Sequence, residues 1–179
     1  NYQRVSIFNL MLNEMVVDVI NQAQQELFQQ TDDYSELAIL LALLRSLNIL
    51  HQSHHWQSEG NQFYSDHLLF QKLYEKIQDE IDTVGEKTVG LGKPYLTNYF
   101  KQLKMIKLFL KTLTDSNVSY TLNSYRAELF AVEFIEEIIQ RLKLKEFLSS
   151  GLEQTLGTIQ ETHEQFCYLL KQQTRETSH

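Results

Sequence analysis

The sequence is poor in residues that interrupt helices. Its 179 residues include one proline and six glycines. Proline removes a backbone donor, and glycine costs an interior helix position about 1 kcal/mol relative to alanine. A chain with so few of either can support long helices, so we predict an all-α fold. The length allows one domain with a sizeable core.

The chain is also poor in cysteine, in long apolar runs and in positive charge. Its single cysteine, Cys167, excludes an internal disulfide, and the surrounding FCYLL predicts a small buried side chain rather than a reactive thiol. No apolar run approaches the roughly 18 residues of a membrane-spanning helix, and polar residues interrupt any signal-peptide core near the start. We therefore expect a cytoplasmic protein with no membrane partner.

The net charge of -7 argues against nucleic-acid binding through the folded surface. Such binding neutralises phosphates with Lys and Arg. Among residues 1–30 the only basic residue is Arg4, and the C-terminal QQTRETSH adds one more. DNA binding is therefore not expected from the residues present.

Six apolar patterns with helical spacing divide the chain. We predict an amphipathic N-terminal helix within residues 1–30, followed by a helical bundle domain at 31–175. The bundle helices are predicted at residues 34–58, 63–89, 120–142 and 146–173, with a shorter crossover helix at 96–113. Residues 31–33, TDD, are predicted to cap the first of these helices.

Two acidic and two histidine side chains form a candidate metal site. Asp82 and Glu86 are one helical turn apart, so both carboxylates project from the same helix face. His67 precedes Asp82 by fifteen residues on the same predicted helix, which separates them by roughly 22 Å. They cannot share an ion within one chain. An antiparallel pair of these helices across a two-fold axis would bring the histidine of one chain level with both carboxylates of the other.

His55 is predicted near the end of the preceding helix, within reach of His67, because the break at Gly60 is short. The spacing therefore predicts two identical sites per dimer, each with two imidazoles from one chain and two carboxylates from its partner. Such mixed ligation suits iron, manganese or zinc better than calcium. His51 lies one turn before His55 and could join a metal site, although a hydrogen-bonded histidine is the more common case. His54 is interpreted as structural.

At these positions the sequence resembles the Dps-like ferritins, the DNA-binding proteins from starved cells. The matching residues are His55-Trp56, Gly60, Phe63, His67, Phe70, Tyr74, Asp82, Glu86-Lys87 and Leu91-Gly92. The resemblance implies a ferritin-like four-helix bundle with a short crossover helix, to which this chain adds its N-terminal helix. It also implies two-fold dimers assembled into a hollow dodecameric shell.

The resemblance further implies a ferroxidase centre at the dimer interface, with iron held by His55, His67, Asp82 and Glu86. Such an enzyme oxidises ferrous iron with hydrogen peroxide or oxygen, stores the ferric product and protects against oxidative stress. The family's tryptophan lies beside this centre and quenches oxidising intermediates, so Trp56 is expected to do the same.

Three departures from the family leave a second interpretation open. Gln71 stands where an Asp usually supports a second iron position, and Gly85 replaces a more usual Ala. Residues 141–154 lack the Asp residues of the family's iron-entry pores. Together with the added N-terminal helix, these departures fit a structural or interaction subunit of a larger assembly, with a vestigial or dimer-stapling metal site.

A classical di-iron site inside one bundle is set aside, because it needs Glu-x-x-His on two helices. The third residues after Glu59, Glu75, Glu133 and Glu161 are Gln62, Gln78, Glu136 and Glu164. Acidic residues on the last two helices are expected to form a solvated face, with ferric oxide nucleation as the alternative. These residues are Glu133, Glu136, Glu137, Glu161 and Glu164.

Overall fold

The computed structural model describes residues 2–176, with side chains described for residues 7–174. Within that part of the chain six α-helices form, and no β-strand is present. They are α1 (Tyr2–Leu27), α2 (Ser35–Gln57), α3 (Phe63–Leu91), α4 (Tyr99–Leu113), α5 (Tyr120–Leu144) and α6 (Ser150–Glu176). A short 3-10 turn, Pro94–Thr97, joins α3 to α4. Asn1 and residues 177–179, which belong to the predicted terminal segments, lie outside the described residues.

Four of the helices form an all-α, ferritin-like bundle, which confirms the predicted fold class. α2 packs along α3, α5 packs along α6, and α2 also contacts α5. The connection from α2 to α3 is short and contains Gly60 at φ 82°, a left-handed conformation that glycine adopts without steric cost. This tight turn places the end of α2 beside the start of α3.

α2 is the central helix of the bundle. It contacts α3, α4 and α5, and residues 35–44 are buried on every side. A helix surrounded by partners is apolar all round rather than on one stripe, as residues 37–44, LAILLALL, show. The crossover helix α4 covers α2, so the predicted crossover element is confirmed.

The N-terminal helix α1 packs mainly on α5. Val16, Ile20 and Ala23 on α1 are buried. Further toward its start, Leu10 and Met11 are 62% and 63% exposed, so only part of the predicted apolar stripe is covered. The division of the chain near residue 30 into two domains stays a prediction.

The predicted cap of α2 is wrong. The capping position is Tyr34, at φ 63° and with no side-chain cap bond, whereas the cap had been predicted within residues 31–33. The carboxylate of Asp32 instead accepts hydrogen bonds from the Gln29 amide, at 2.9 Å, and from the Tyr95 hydroxyl. A contact with a residue 63 positions away thus outweighs the local capping preference.

Among the residues that the structure describes, no helix is both long and apolar enough to cross a membrane. The cytoplasmic location stays a prediction.

Candidate metal centre

His55 and His67 form a stacked pair where α2 ends and α3 begins. Their ring centroids are 3.7 Å apart. His55 Nδ1–H donates to the His67 carbonyl oxygen at 2.8 Å, and His67 Nδ1–H donates to the His55 carbonyl oxygen at 3.0 Å. Because a carbonyl oxygen only accepts, both protons must lie on Nδ1. Each Nε2 is then the atom that can offer a lone pair, and metal-binding histidines are commonly oriented in this way.

Neighbouring aromatic rings hold the pair in place. The Phe63 ring lies 5.0 Å from the ring of His67, and the Tyr74 ring meets His55 edge-on at 5.3 Å. His55 is buried and His67 is half-buried. Two imidazoles with restricted orientation are therefore ready before any ion arrives.

Asp82 and Glu86 lie toward the other end of α3, and both are exposed. They line an open groove of about 950 Å³ between α2, α3 and α4. Its apolar walls are Leu41, Ile49, Ile81, Val89, Leu103 and Ile106. Because α3 is continuous, the fifteen residues between His67 and Asp82 correspond to roughly 22 Å. Within residues 2–176, no three His, Cys, Asp or Glu side chains are arranged to hold one metal ion.

The histidine pair and the groove nevertheless lie on one face of the molecule. Along α3, residues of this face follow at steps of three or four, which places them on one side of the helix. They are His67, Gln71, Tyr74, Gln78, Asp82 and Glu86. On α2, Ile49 in the groove and Trp56, the residue after His55, are seven residues apart, again on one side. Trp56 is 68% exposed.

The structure shows the surroundings of two residues that depart from the family pattern, Gln71 and Gly85. The Gln71 side chain donates to Glu75 Oε1 at 2.7 Å. A Cβ on Gly85 would meet only Leu41 Cδ1, at 3.9 Å. That is an ordinary contact distance, so packing within the subunit does not require a glycine there.

A second polar cluster, which was not predicted from the sequence, lies inside the four-helix bundle. It takes one side chain from each helix: His51 from α2, Glu80 from α3, Glu128 from α5 and His163 from α6. His51 Nε2 lies 2.6 Å from Glu128 Oε1, and His163 Nε2 lies 3.0 Å from Glu80 Oε2. His163 Nδ1 bonds Glu128 Oε2. All four side chains are buried.

This core cluster has strongly perturbed pKa values. Burial would lower the pKa of His163, but the Glu128 carboxylate, with help from Glu80, outweighs burial and raises it to about 10. Burial would raise the pKa of Glu128, but His163 and His51 together lower it to about 2. His163 and Glu128 therefore form a buried ion pair at neutral pH.

Two further side chains extend the cluster. The Ser124 hydroxyl lies 3.0 Å from His51 Nδ1 and 2.8 Å from His54 Nδ1, so it can donate to one ring and accept from the other. Burial, with a smaller contribution from His51, lowers the pKa of His54 to about 3. His54 is thus neutral, in keeping with a structural residue.

The sequence did contain a signal for the core cluster. His163 falls between Leu156, Ile159, Phe166 and Leu170 at steps of three or four, a row of buried positions. Glu80 likewise stands between the buried Ile77 and Val84. A titratable residue within an apolar stripe is the pattern that would have found them.

Two curated proteins are similar to parts of this chain. The nutrient stress-induced DNA-binding protein of Nostoc sp. is 41% identical over 56 residues, which are 31% of this chain and 30% of that protein. The protein of the same name from Synechococcus sp. is 28% identical over 102 residues, 57% of this chain and 56% of that protein. The chain thus matches less than two thirds of either relative, and no model of a known protein family matches it. Over part of its length, the chain is similar to nutrient stress-induced DNA-binding proteins.

Proposed function

We propose that this chain is the subunit of a Dps-like ferritin that oxidises and stores iron. Ferrous iron, the substrate, binds at the interface of a two-fold dimer. His55 and His67 of one subunit and Asp82 and Glu86 of the other are its ligands. The observation that carries the proposal is the reciprocal bonding of the two histidines, which occupies both Nδ1 atoms and leaves both Nε2 atoms as the candidate metal donors.

The two halves of the site complement each other. The exposed carboxylates lie in an open groove on the same face as the histidine pair. Two copies of α3 running antiparallel bring each pair opposite the other's carboxylates, so one two-fold axis generates two identical sites. Exposed apolar side chains on this face, Ile49, Trp56, Val89 and Leu103, are the kind of surface that an interface buries.

The donor set fits iron chemistry. Imidazole nitrogen and carboxylate oxygen together suit iron, and zinc or manganese would compete for the same atoms. Each ferrous ion gives up one electron. Hydrogen peroxide takes two electrons and two protons and becomes two water molecules, so two ferrous ions are consumed per peroxide. Pairing the electrons avoids release of hydroxyl radical, and Trp56, which follows His55 in the sequence, is the residue proposed to quench oxidising species. Oxygen serves as a slower oxidant.

The ferric product is stored inside a closed dodecameric shell. DNA binding is not part of the proposal, although the printed names of both relatives include it, because the chain carries a net charge of -7. Residues 141–154, which depart from the family's pore sequence, leave the iron-entry route as a separate question.

An anaerobic ferrous iron titration followed by hydrogen peroxide tests the proposal. The wild-type protein should develop ferric absorbance rapidly, and iron should co-elute with the assembled protein in size exclusion. His67→Ala and Asp82→Ala should each abolish rapid oxidation. Asp79→Ala is the matched control, since Asp79 is an exposed carboxylate on the same helix. Wild-type rates in both site variants would refute the proposal.

A second candidate function is favoured by α1. Ile7, Leu10 and Met11 on this helix are each more than half exposed, which suits a structural subunit that docks into a larger assembly. Solution mass separates the two candidates. The ferroxidase proposal expects one closed assembly that is unchanged by a Leu10→Glu and Met11→Glu double variant. The structural candidate expects a larger or mixed assembly that this variant disrupts.

A further inference from the structure

α3 and α6 are neighbouring helices of the bundle that contact each other at few positions. Between them lie an open groove of about 680 Å³ and a smaller cavity of about 320 Å³. Lys76, Asp79 and Thr162 line both. The smaller cavity is at the lower end of the roughly 300–1,000 Å³ range of small-molecule sites. None of the four proposed iron ligands lines either opening.

The walls of the smaller cavity are rich in hydrogen-bond acceptors. The hydroxyl of each threonine in the lining donates its proton to a carbonyl oxygen of its own helix, at distances between 2.9 and 3.1 Å. These residues are Thr83, Thr155, Thr158 and Thr162. Since a hydroxyl has one proton, each of these oxygens can only accept from a molecule in the cavity. The carboxylates of Asp79 and Glu80 add further acceptors.

Donors are scarce in the same lining. Among the described residues that line the cavity, the side chains that carry N–H groups are those of Lys76 and Gln154, and both are exposed. The carboxylates of Asp79 and Glu80 against the ammonium of Lys76 leave an excess of one negative charge. A ligand that complements these walls is therefore a cation with several N–H donors.

Glu80, at the inner wall, has one unused oxygen. Its Oε2 accepts from His163 Nε2–H at 3.0 Å, while its Oε1 is buried and has no hydrogen-bond partner within the described part of the chain. Glu80 as a whole is 5% exposed. A buried carboxylate oxygen without a donor destabilises a fold, and native proteins rarely leave one in that state. A ligand that donates to Oε1 removes this cost.

A primary ammonium suits this lining better than a metal ion does. No three His, Cys, Asp or Glu side chains in residues 2–176 are arranged to hold a metal. A primary ammonium has three N–H donors and no acceptor, which matches walls that mostly accept. Ile159, also in the lining, offers an apolar surface for an attached alkyl chain.

We propose that the cavity between α3 and α6 binds a small primary alkylammonium ion. One N–H donates to Glu80 Oε1, and the other two donate to the Asp79 carboxylate and to a threonine hydroxyl of α6. The alkyl chain packs on Ile159. Because the ligand contacts both helices, it binds the folded protein in preference to the unfolded chain and stabilises the bundle. The proposal does not rest on the proposed function.

Butylammonium is the probe that tests the proposal. Saturation-transfer NMR at constant ionic strength should detect saturable binding to the iron-free protein, and the thermal midpoint should rise with the concentration of the probe. Two matched compounds separate the possible causes. Butanol has the same chain without the charge, and tetramethylammonium has the charge without an N–H. Neither should compete with butylammonium.

Substitutions in the lining locate the site. Glu80→Gln removes the charge of the buried carboxylate at nearly constant shape and should weaken binding at least about tenfold. Thr158→Val removes one acceptor from an exposed position of α6 and should weaken binding less. Lys76→Ala removes a competing cation and should strengthen it. Glu161→Gln is the control, since Glu161 is an exposed carboxylate of α6 outside the lining. Far-UV circular dichroism checks that each variant folds.

Three results would overturn the proposal. No saturable binding by the folded wild-type protein would mean that Glu80 Oε1 is served by water only. Equal affinity in wild type, Glu80→Gln and Thr158→Val would place the probe elsewhere. Tighter binding of Nα-acetyl-lysine amide than of butylammonium would indicate a lysine side chain of a partner protein in place of a free amine. All of these measurements are made without iron, so their failure and failure of the ferroxidase proposal are distinguishable.

Discussion

His55 and His67 orient each other, because the Nδ1–H of each ring donates to the carbonyl oxygen of the other residue at 2.8 and 3.0 Å. The two bonds join the last turn of α2 to the start of α3 across the connection that contains Gly60. The orientation of the two rings is thus a consequence of how one turn closes, and it requires neither a partner subunit nor an ion. Under the proposed function, ligands preorganised in this way bind iron with little further ordering.

A shared site predicts recovery of activity between two inactive variants. A heterodimer of His67→Ala and Asp82→Ala subunits has one site without either group and one intact site. Unfolding the two proteins together and refolding them should therefore restore roughly a quarter of the wild-type oxidation rate if subunits pair at random. Mixing without unfolding is the control and should restore little. No recovery after joint refolding would argue against ligands from two subunits.

Replacing Gln71 by Asp should change the number of iron ions that each subunit binds. It lies one turn after His67, and its amide bonds only to Glu75 Oε1 among the described contacts. A carboxylate at this position would add a hard oxygen ligand, which iron accepts. Gln71→Asp should increase the number of ferrous ions bound per subunit in an anaerobic titration. Gln71→Asn shortens the side chain without adding charge and should leave that number unchanged.

Substitution by alanine should have opposite effects on stability at Gly85 and at Gly92. A Cβ at Gly85 meets only Leu41 Cδ1 at 3.9 Å, so Gly85→Ala should raise the free energy of unfolding by about 1 kcal/mol through helix propensity. At Gly92 a Cβ would lie 2.6 Å from Leu96 Cδ1 and 2.9 Å from the Thr88 carbonyl oxygen. Gly92→Ala should therefore destabilise the protein. Urea unfolding measures both, and equal effects would contradict the packing described.

The buried ion pair of His163 and Glu128 predicts how stability depends on pH. The raised pKa of His163, about 10, contributes stability that is complete below its unfolded value near 6.5 and is lost as pH rises through 10. The lowered pKa of Glu128, about 2, contributes stability that is present above about 4.5 and is lost as pH falls through 2. Both contributions are complete between about pH 4.5 and 6.5.

The contribution of His163 is measured by urea unfolding, in the presence of a chelator, of the wild type and of His163→Gln. The measured quantity is the difference between their free energies of unfolding. Between pH 6.5 and 9 the advantage of wild type should shrink by up to about 1.4 kcal/mol per pH unit. Glu161→Gln on the same helix is exposed and should show no such trend. A difference independent of pH would mean that His163 is not charged in the folded protein.

The thiol of Cys167 should be unreactive in the folded protein. It is half-buried, and burial, with smaller contributions from Glu128 and Glu164, raises its pKa to about 12. Since only the thiolate reacts, labelling with a disulfide reagent at pH 8 should be at least about a thousandfold slower than in urea, and the rate should rise with pH. Rapid labelling of the folded protein would contradict the raised pKa.

Much of the fold, and the spacing of the candidate metal ligands along α3, could be predicted from the sequence. Helices are local, so apolar spacing located α3 within two residues of its observed end at Leu91. The separation of His67 from Asp82 followed from helix rise alone, and the structure keeps them apart as predicted. The N-cap of α2 was missed because Tyr95, far along the chain, holds the Asp32 carboxylate.

The sequence by itself determined the all-α class, the helix order, and the placement of two carboxylates and two histidines on one face, because these depend on spacing within one helix or across one short turn. Only the tertiary structure decided the core cluster. His51 and Glu128 are 77 residues apart, and Glu80 and His163 are 83 apart. No local period relates such positions, so their meeting depends on how the four helices pack.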